Sequence, residues 1–113
     1  MIALNCTTGR VLAATLDSAD SLWHRLKGLI GTSSLAEGGG LWIKPCSSIH
    51  TIGMRFPIDV LFLDRTLRVV EILPSLPPNR LTRIRFRAAS VLELPSGTVE
   101  RTVTKAGDFI AVR

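Results

Sequence analysis

The chain has 113 residues, 46% of them hydrophobic and 20% charged, with a formal net charge of +5. That length suits one domain with a single core, residues 1–113, and so large an apolar fraction excludes an intrinsically disordered chain. No apolar run approaches the about 20 residues of a membrane-crossing helix, and "MIALNCTTGR" lacks the basic-then-apolar pattern of a secretory signal, so no membrane span and a cytoplasmic location are expected.

In chain order, the apolar stretches "IALNC" (2–6) and "RVLAAT" (10–15) flank "TTG", which predicts an opening β-hairpin. The next stretch, "DSADSLWHRLKG", changes period. Leu22, Leu26 and Leu29 recur at helical spacing, with His24, Arg25 and Lys27 towards the other side. Ser18, Asp20 or Ser21 can cap its start and Gly28 can end it, so one short helix is expected near residues 19–27. "EGGG" (37–40) reads as a turn. It has neither the GxxxxGK[ST] spacing of a phosphate-binding loop nor a GxGxxG leading from strand to helix.

From "LWIK" onwards the chain reads as strands. "PIDVLFLD" and "RTLRVVEIL" make the best pair, turning at Asp64 and Arg65. Alternation puts Ile58, Val60 and Phe62 on one face and Asp59, Leu61 and Leu63 on the other, so this strand is expected to be covered on both sides. "PSLPPNR" holds three of the six prolines and predicts a non-helical connection. "SVLELPSGTVERTVTKAGDFIAVR" is expected to supply two or three more short strands. Together these elements predict a mainly β fold, a small antiparallel barrel or sandwich.

The two cysteines, Cys6 and Cys46, form no CxxC pair, so neither a structural zinc site nor a thioredoxin-like motif is supported. Both are expected to be reduced, at least one of them buried. "PCSSIHTIGMRFPID" (45–59) concentrates chemistry by bringing Cys46, His50, Met54 and Asp59 into one stretch. On a straight strand Cys46, His50 and Met54 share a face, but neighbours stand roughly 13 Å apart, too far for a shared metal or a thiolate–imidazolium pair. A helical or tightly looped path would bring them within about 6 Å. Ile49, Thr51, Ile52 and Gly53 disfavour a helix, so an extended or irregular path is expected.

Three readings of these residue types are open. Cys46 can be a nucleophile with His50 as its acid or base and Asp59 orienting the pair. Cysteine, histidine and methionine also resemble a copper ligand set, although the second histidine of a blue-copper centre is missing. Strand geometry favours the third, in which Cys46 and Met54 pack and His50 is a hydrogen-bonded wall residue. Asp59, set between Ile58 and Val60, needs Arg55, backbone amides or another cation to offset its burial. Further on, "RLTRIRFRA" (80–88) reads as a strand with Arg83, Arg85 and Arg87 on one face and Ile84, Phe86 and Ala88 on the other. With Phe86 turned away there is no stacking platform for single strands, so a charged edge strand is expected and nucleic acid is not.

The order of "GLIG" (28–31), "GGLWI", "IHTIGMRFPIDVLFLD" and "AASVLELPSGTVERTVTKAGDFIAV" resembles the DUF192 family, also called UPF0127, over about residues 19–112. Gly28, Gly31, Pro57, Asp59, Leu92, Glu93 and Gly97 match the family pattern directly. His50 stands where the commoner FWMKNTxIPLD motif has tryptophan, as in a variant branch. The resemblance implies a compact jelly-roll-like β sandwich with one short helix, and no activity, since the family has no established reaction. Some relatives look secreted or lipid-anchored.

The foremost functional reading is a small binding module. Its mouth, lined by His50, Met54, Arg55, Asp59 and Trp42, would hold a small ligand or a segment of a protein partner. One alternative is an enzyme using Cys46, His50 and Asp59. The other is a structural interaction protein presenting the arginine-rich edge strand. Neither a metal nor a cofactor is expected.

Overall fold

All six residues of the strand Ile58–Leu63 are buried, so both of its faces must be covered, and the layering follows from that. A computed structural model describes residues 1–19 and 38–113 of the chain. Strands β1 (Ala3–Asn5), β2 (Arg10–Ala13) and β3 (Thr15–Ala19) come first, then β4 (Gly39–Ile43), β5 (Ile58–Leu63), β6 (Val69–Leu76) and β7 (Ser90–Pro95). Helix α1 (Thr98–Thr102) and strand β8 (Ile110–Val112) close the chain. The helix expected near 19–27 lies outside the described residues, except that the backbone of Ala19 ends β3.

The strands form a three-stranded sheet, β2-β1-β8, and a five-stranded sheet, β3-β4-β7-β5-β6. The predicted opening hairpin is β1 against β2, and the predicted best pair is β5 against β6, both antiparallel. Period-2 alternation then sorts the core. Leu61, Leu63, Leu92 and Leu94 face the small sheet and pack with Ala3, Leu12, Ala13, Leu16 and Ile110. Val60, Phe62 and Val91 face the other way, against Ile49, Met54 and Phe56 from the connection between β4 and β5. Each such side chain, fully buried, contributes about 1.5–3 kcal/mol, so this double-faced packing is the main source of stability. Gly40 is needed where the layers close, because a Cβ there would stand 3.0 Å from Leu94 Cδ2 and 3.1 Å from Ala13 Cβ.

The mainly β two-sheet fold is as expected, and four local features differ. The β3 and β4 strands run parallel, not antiparallel, and the connection from Ala19 to Gly39 is long enough for such a crossover. Residues 98–102, expected to be strand, form α1. The sequence "TVERT" is rich in β-branched residues, but Gly97 adopts a left-handed conformation (φ 95°) and lets the chain turn into a helix. Cys6 is exposed and Cys46 only half-buried, so neither is the buried cysteine expected.

The fourth difference is the arginine segment, which is not a strand. Its backbone amides instead meet the β4–β5 connection, Thr82 N–H donating to Ile49 O (3.0 Å) and Arg85 N–H to Ser47 O (2.8 Å). Alternation therefore does not hold. Arg85 turns inward to Glu71, while Ile84 and Phe86, expected on the face opposite the arginines, are exposed.

Candidate functional site

The residues singled out from the sequence are distributed over the whole large sheet. Asp59 is 1% exposed at the start of β5, on the face toward the small sheet. Its Oδ1 accepts the Ser75 amide and its Oδ2 the Val99 amide, each at 2.8 Å. Asp59 thus caps the first turn of α1 from another element and pins the end of β6, the backbone-amide solution to its burial. Met54 is buried on the opposite face with Cys46 packed against the same cluster. His50 is half-buried and bridges to Leu81 through the backbone, and Arg55 is exposed. The path through 46–54 is irregular and ends in a turn, Met54 N–H donating to Thr51 O (3.1 Å). The sheet therefore separates Asp59 from Cys46. Among the described residues no three His, Cys, Asp or Glu side chains gather in a way that could hold a metal.

Trp42 and Cys46 do meet common ground, at the end of the sheet where β4 and β5 finish and β7 begins. The register sets this, with Leu63 opposite Ser90 and Trp42 opposite Leu92. A hollow of about 370 Å³ opens there, lined by Trp42, Lys44, Asp64, Arg65, Leu67 and Ser90. A second of about 440 Å³, lined by Cys46, Arg65, Phe86 and Arg87 among others, shares Arg65 and Ala89 with the first, so the two adjoin. His50, Met54, Arg55 and Asp59 line neither.

Two buried polar atoms of residues lining the first hollow are out of balance. Ser90 is 4% exposed, and its Oγ has no hydrogen-bond partner among the described residues. Trp42 Nε1 is likewise buried and without an acceptor among them. An unsatisfied buried polar group costs about 1–3 kcal/mol, and these two belong to residues of one cavity wall. The surrounding groups are nearly all donors. Lys44 Nζ sits 4.1 Å from the Trp42 ring centroid, and Arg65 and Arg87 stand exposed at the rim. Cys46 Sγ is turned away, donating to Ser48 O (2.9 Å). Sequence reasoning found Trp42 but missed Lys44, Arg65 and Ser90. A serine ahead of an apolar strand carries no signal, and only the strand register places it opposite Leu63.

Among the described residues Asp64 is the hollow's one carboxylate, and its charge is already engaged. Its Oδ1 accepts from Thr66 Oγ1 (2.7 Å), Thr66 N (2.8 Å) and Arg68 N (3.0 Å), an Asx turn that orients the neighbouring Arg65. The Thr66 hydroxyl, then the Arg68 and Thr66 amides and the Arg68 charge, hold its carboxyl below the ordinary 3.8 despite some opposing desolvation. A depressed carboxylate stabilises the fold above its unfolded pKa, and that contribution is lost as pH falls through the folded value. Asp64→Ala is therefore expected to lower Tm at pH 7, with the gap to the parent narrowing below about pH 4. A gap that stays constant from pH 7 to pH 3 in thermal melts contradicts this role.

Fold and hollow together define a small two-sheet β domain with a cation-rimmed hollow at one sheet end. Over residues 3–112 the chain matches the model of the DUF192 family, described as "Uncharacterized ACR", and it belongs to that family. It is 30% identical over 112 residues to a UPF0127 protein of Thermococcus sibiricus, covering 95% of this chain and 71% of that one. A UPF0127 protein of Thermococcus gammatolerans is 29% identical over 113 residues, covering 96% and 72%. In structure the chain is similar to a protein of unknown function from Novosphingobium aromaticivorans, with a TM-score of 0.82, 21% identity, and coverage of 98% and 83%. The match thus reaches some sixteen residues further toward the N-terminus than the motifs alone indicate. Among the described residues no helix is long and apolar enough to cross a membrane.

Proposed function

We propose that this domain is a binding module for a small ligand carrying a carboxylate, phosphate or similar oxyanion, held in the hollow beneath Lys44 and Arg65. The unpartnered Ser90 Oγ and Trp42 Nε1 carry the reading. An indole N–H can only donate, lysine and arginine can only donate, and a serine hydroxyl can do either, so the matching guest is rich in acceptors. Trp42 is retained from the expected mouth, and Lys44, Arg65 and Ser90 take the places expected for His50, Met54, Arg55 and Asp59. The enzymatic alternative has less behind it, since Asp59 lies across the sheet from Cys46 with both oxygens committed to amides.

Thermal-shift titration with inorganic phosphate and with malonate tests the proposal, with choline as the cationic control. Either anion should raise Tm by mass action and choline should not. Ser90→Ala should leave the unliganded protein as stable or more stable, because it removes an unsatisfied hydroxyl. The same change should weaken anion affinity about tenfold, the value of one hydrogen bond to a charged group. Arg65→Ala should weaken it similarly, and Arg113→Ala, at the far terminus, should not. Anion shifts that are absent, or unaltered by Ser90→Ala and Arg65→Ala, reject the reading.

A further inference from the structure

A separate groove of about 550 Å³ runs between β6 and the arginine segment, with Leu73 and Leu76 as its floor and Arg80, Leu81, Arg83 and Ile84 along its side. We propose that it docks an acidic segment of a partner protein, in extended conformation, that also carries apolar side chains. Three observations lead there. First, Leu81 is 76% and Ile84 56% exposed, so one groove presents two large apolar side chains to solvent.

Second, the charges are one-sided. Among the described residues Glu71 is the groove's only acid, and Arg85 engages its Oε2 through Nε (2.9 Å) and Nη2 (2.6 Å). Arg80 and Arg83 remain exposed with no carboxylate in salt-bridge range among the described residues. Carboxylates alternating with apolar side chains therefore complement both rim and floor. Third, the groove wall is already in place. Asn79 N–H donates to Thr51 O, Thr82 N–H to Ile49 O and Arg85 N–H to Ser47 O, while the Arg85 guanidinium sits 4.9 Å from the Phe62 ring centroid. Little ordering remains for a partner to impose, which favours binding. A nucleic acid would satisfy the arginines but leave Leu81 and Ile84 bare, and among the described residues no aromatic side chain lines the groove for base stacking.

Fluorescence polarisation on the intact chain provides the test, using a fluorescein-labelled octapeptide of alternating leucine and glutamate and a leucine–lysine counterpart. The acidic peptide should bind saturably and the basic one should not. Leu81→Asp and Arg83→Glu, both at exposed positions, should each weaken binding by about tenfold or more with Tm unchanged. Ser90→Ala should bind the peptide as the parent does, so failure here and failure of the anion hollow are distinguishable. The proposal is overturned if neither peptide binds, if both bind equally, or if a single-stranded oligonucleotide of equal charge binds as tightly. It is also overturned by dimerisation that Leu81→Asp abolishes, since the groove would then serve a second copy of the chain.

Discussion

Asp59→Ala is expected to lower the unfolding free energy by about 3–5 kcal/mol, a large share of the 5–15 kcal/mol typical of a small domain. The carboxylate is the acceptor for two backbone amides on different elements, Ser75 in β6 and Val99 in α1. Alanine leaves both donors without a partner and opens a small void between them. Ser75 offsets part of the effect, because its φ of 49° is a left-handed conformation that a non-glycine residue holds only at a cost of about 1–3 kcal/mol, some of which relaxation in the variant recovers. Asp59→Asn should fall between the parent and alanine, since an amide oxygen can serve one donor while its NH₂ group opposes the other. Urea unfolding monitored by circular dichroism measures all three proteins. A variant within about 0.5 kcal/mol of the parent, the range of an ordinary surface change, contradicts the capping role.

The second large effect is at Asn5, which is fully buried and uses its whole amide. Its Nδ2 donates to Thr104 Oγ1 (3.1 Å) and Asp108 Oδ2 (3.0 Å), and its Oδ1 accepts the amides of Thr7 (2.9 Å) and Thr8 (3.1 Å). One side chain thus ties the β1–β2 turn to the chain between α1 and β8. Asn5→Ala should cost about 2–4 kcal/mol through this lost network. Asn5→Asp is more informative, because it keeps the acceptor for Thr7 and Thr8 but sets a second carboxylate against Asp108. Its destabilisation should be largest at pH 7 and shrink as acid protonates one of the two groups, because protonation removes the repulsion. Equal destabilisation at pH 7 and pH 4 would show that charge repulsion plays no part.

What could be read from sequence divides along physical lines. The β5–β6 pair was legible because alternating apolar residues and a turn are local signals, and the clusters around Phe62 and Leu61 reproduce the predicted faces. Helix α1 was not, because "TVERT" prefers strand locally, and its helical turn depends on Gly97 and on an acceptor supplied by Asp59, 40 residues away. The arginine segment misled for a similar reason. Alternation is informative only where a strand ladder holds the backbone, and residues 80–88 are held by the irregular 47–51 stretch instead. Asp59 was identifiable as a costly burial needing backbone amides. The hollow was visible only in Trp42. Lys44, Arg65 and Ser90 come together through strand register, and register between distant strands leaves no mark in a single sequence.

The indole N–H resonance of Trp42 offers the sharpest check, read by ¹H–¹⁵N NMR in a Trp23→Phe background so that a single indole signal remains. If the hollow is an oxyanion site, adding malonate or phosphate should move that signal saturably downfield, with a weaker response when Ser90 is alanine. An indole signal that stays fixed across the titration, in a protein whose other resonances show it folded, would mean that the cavity beneath Lys44 and Arg65 receives no anion.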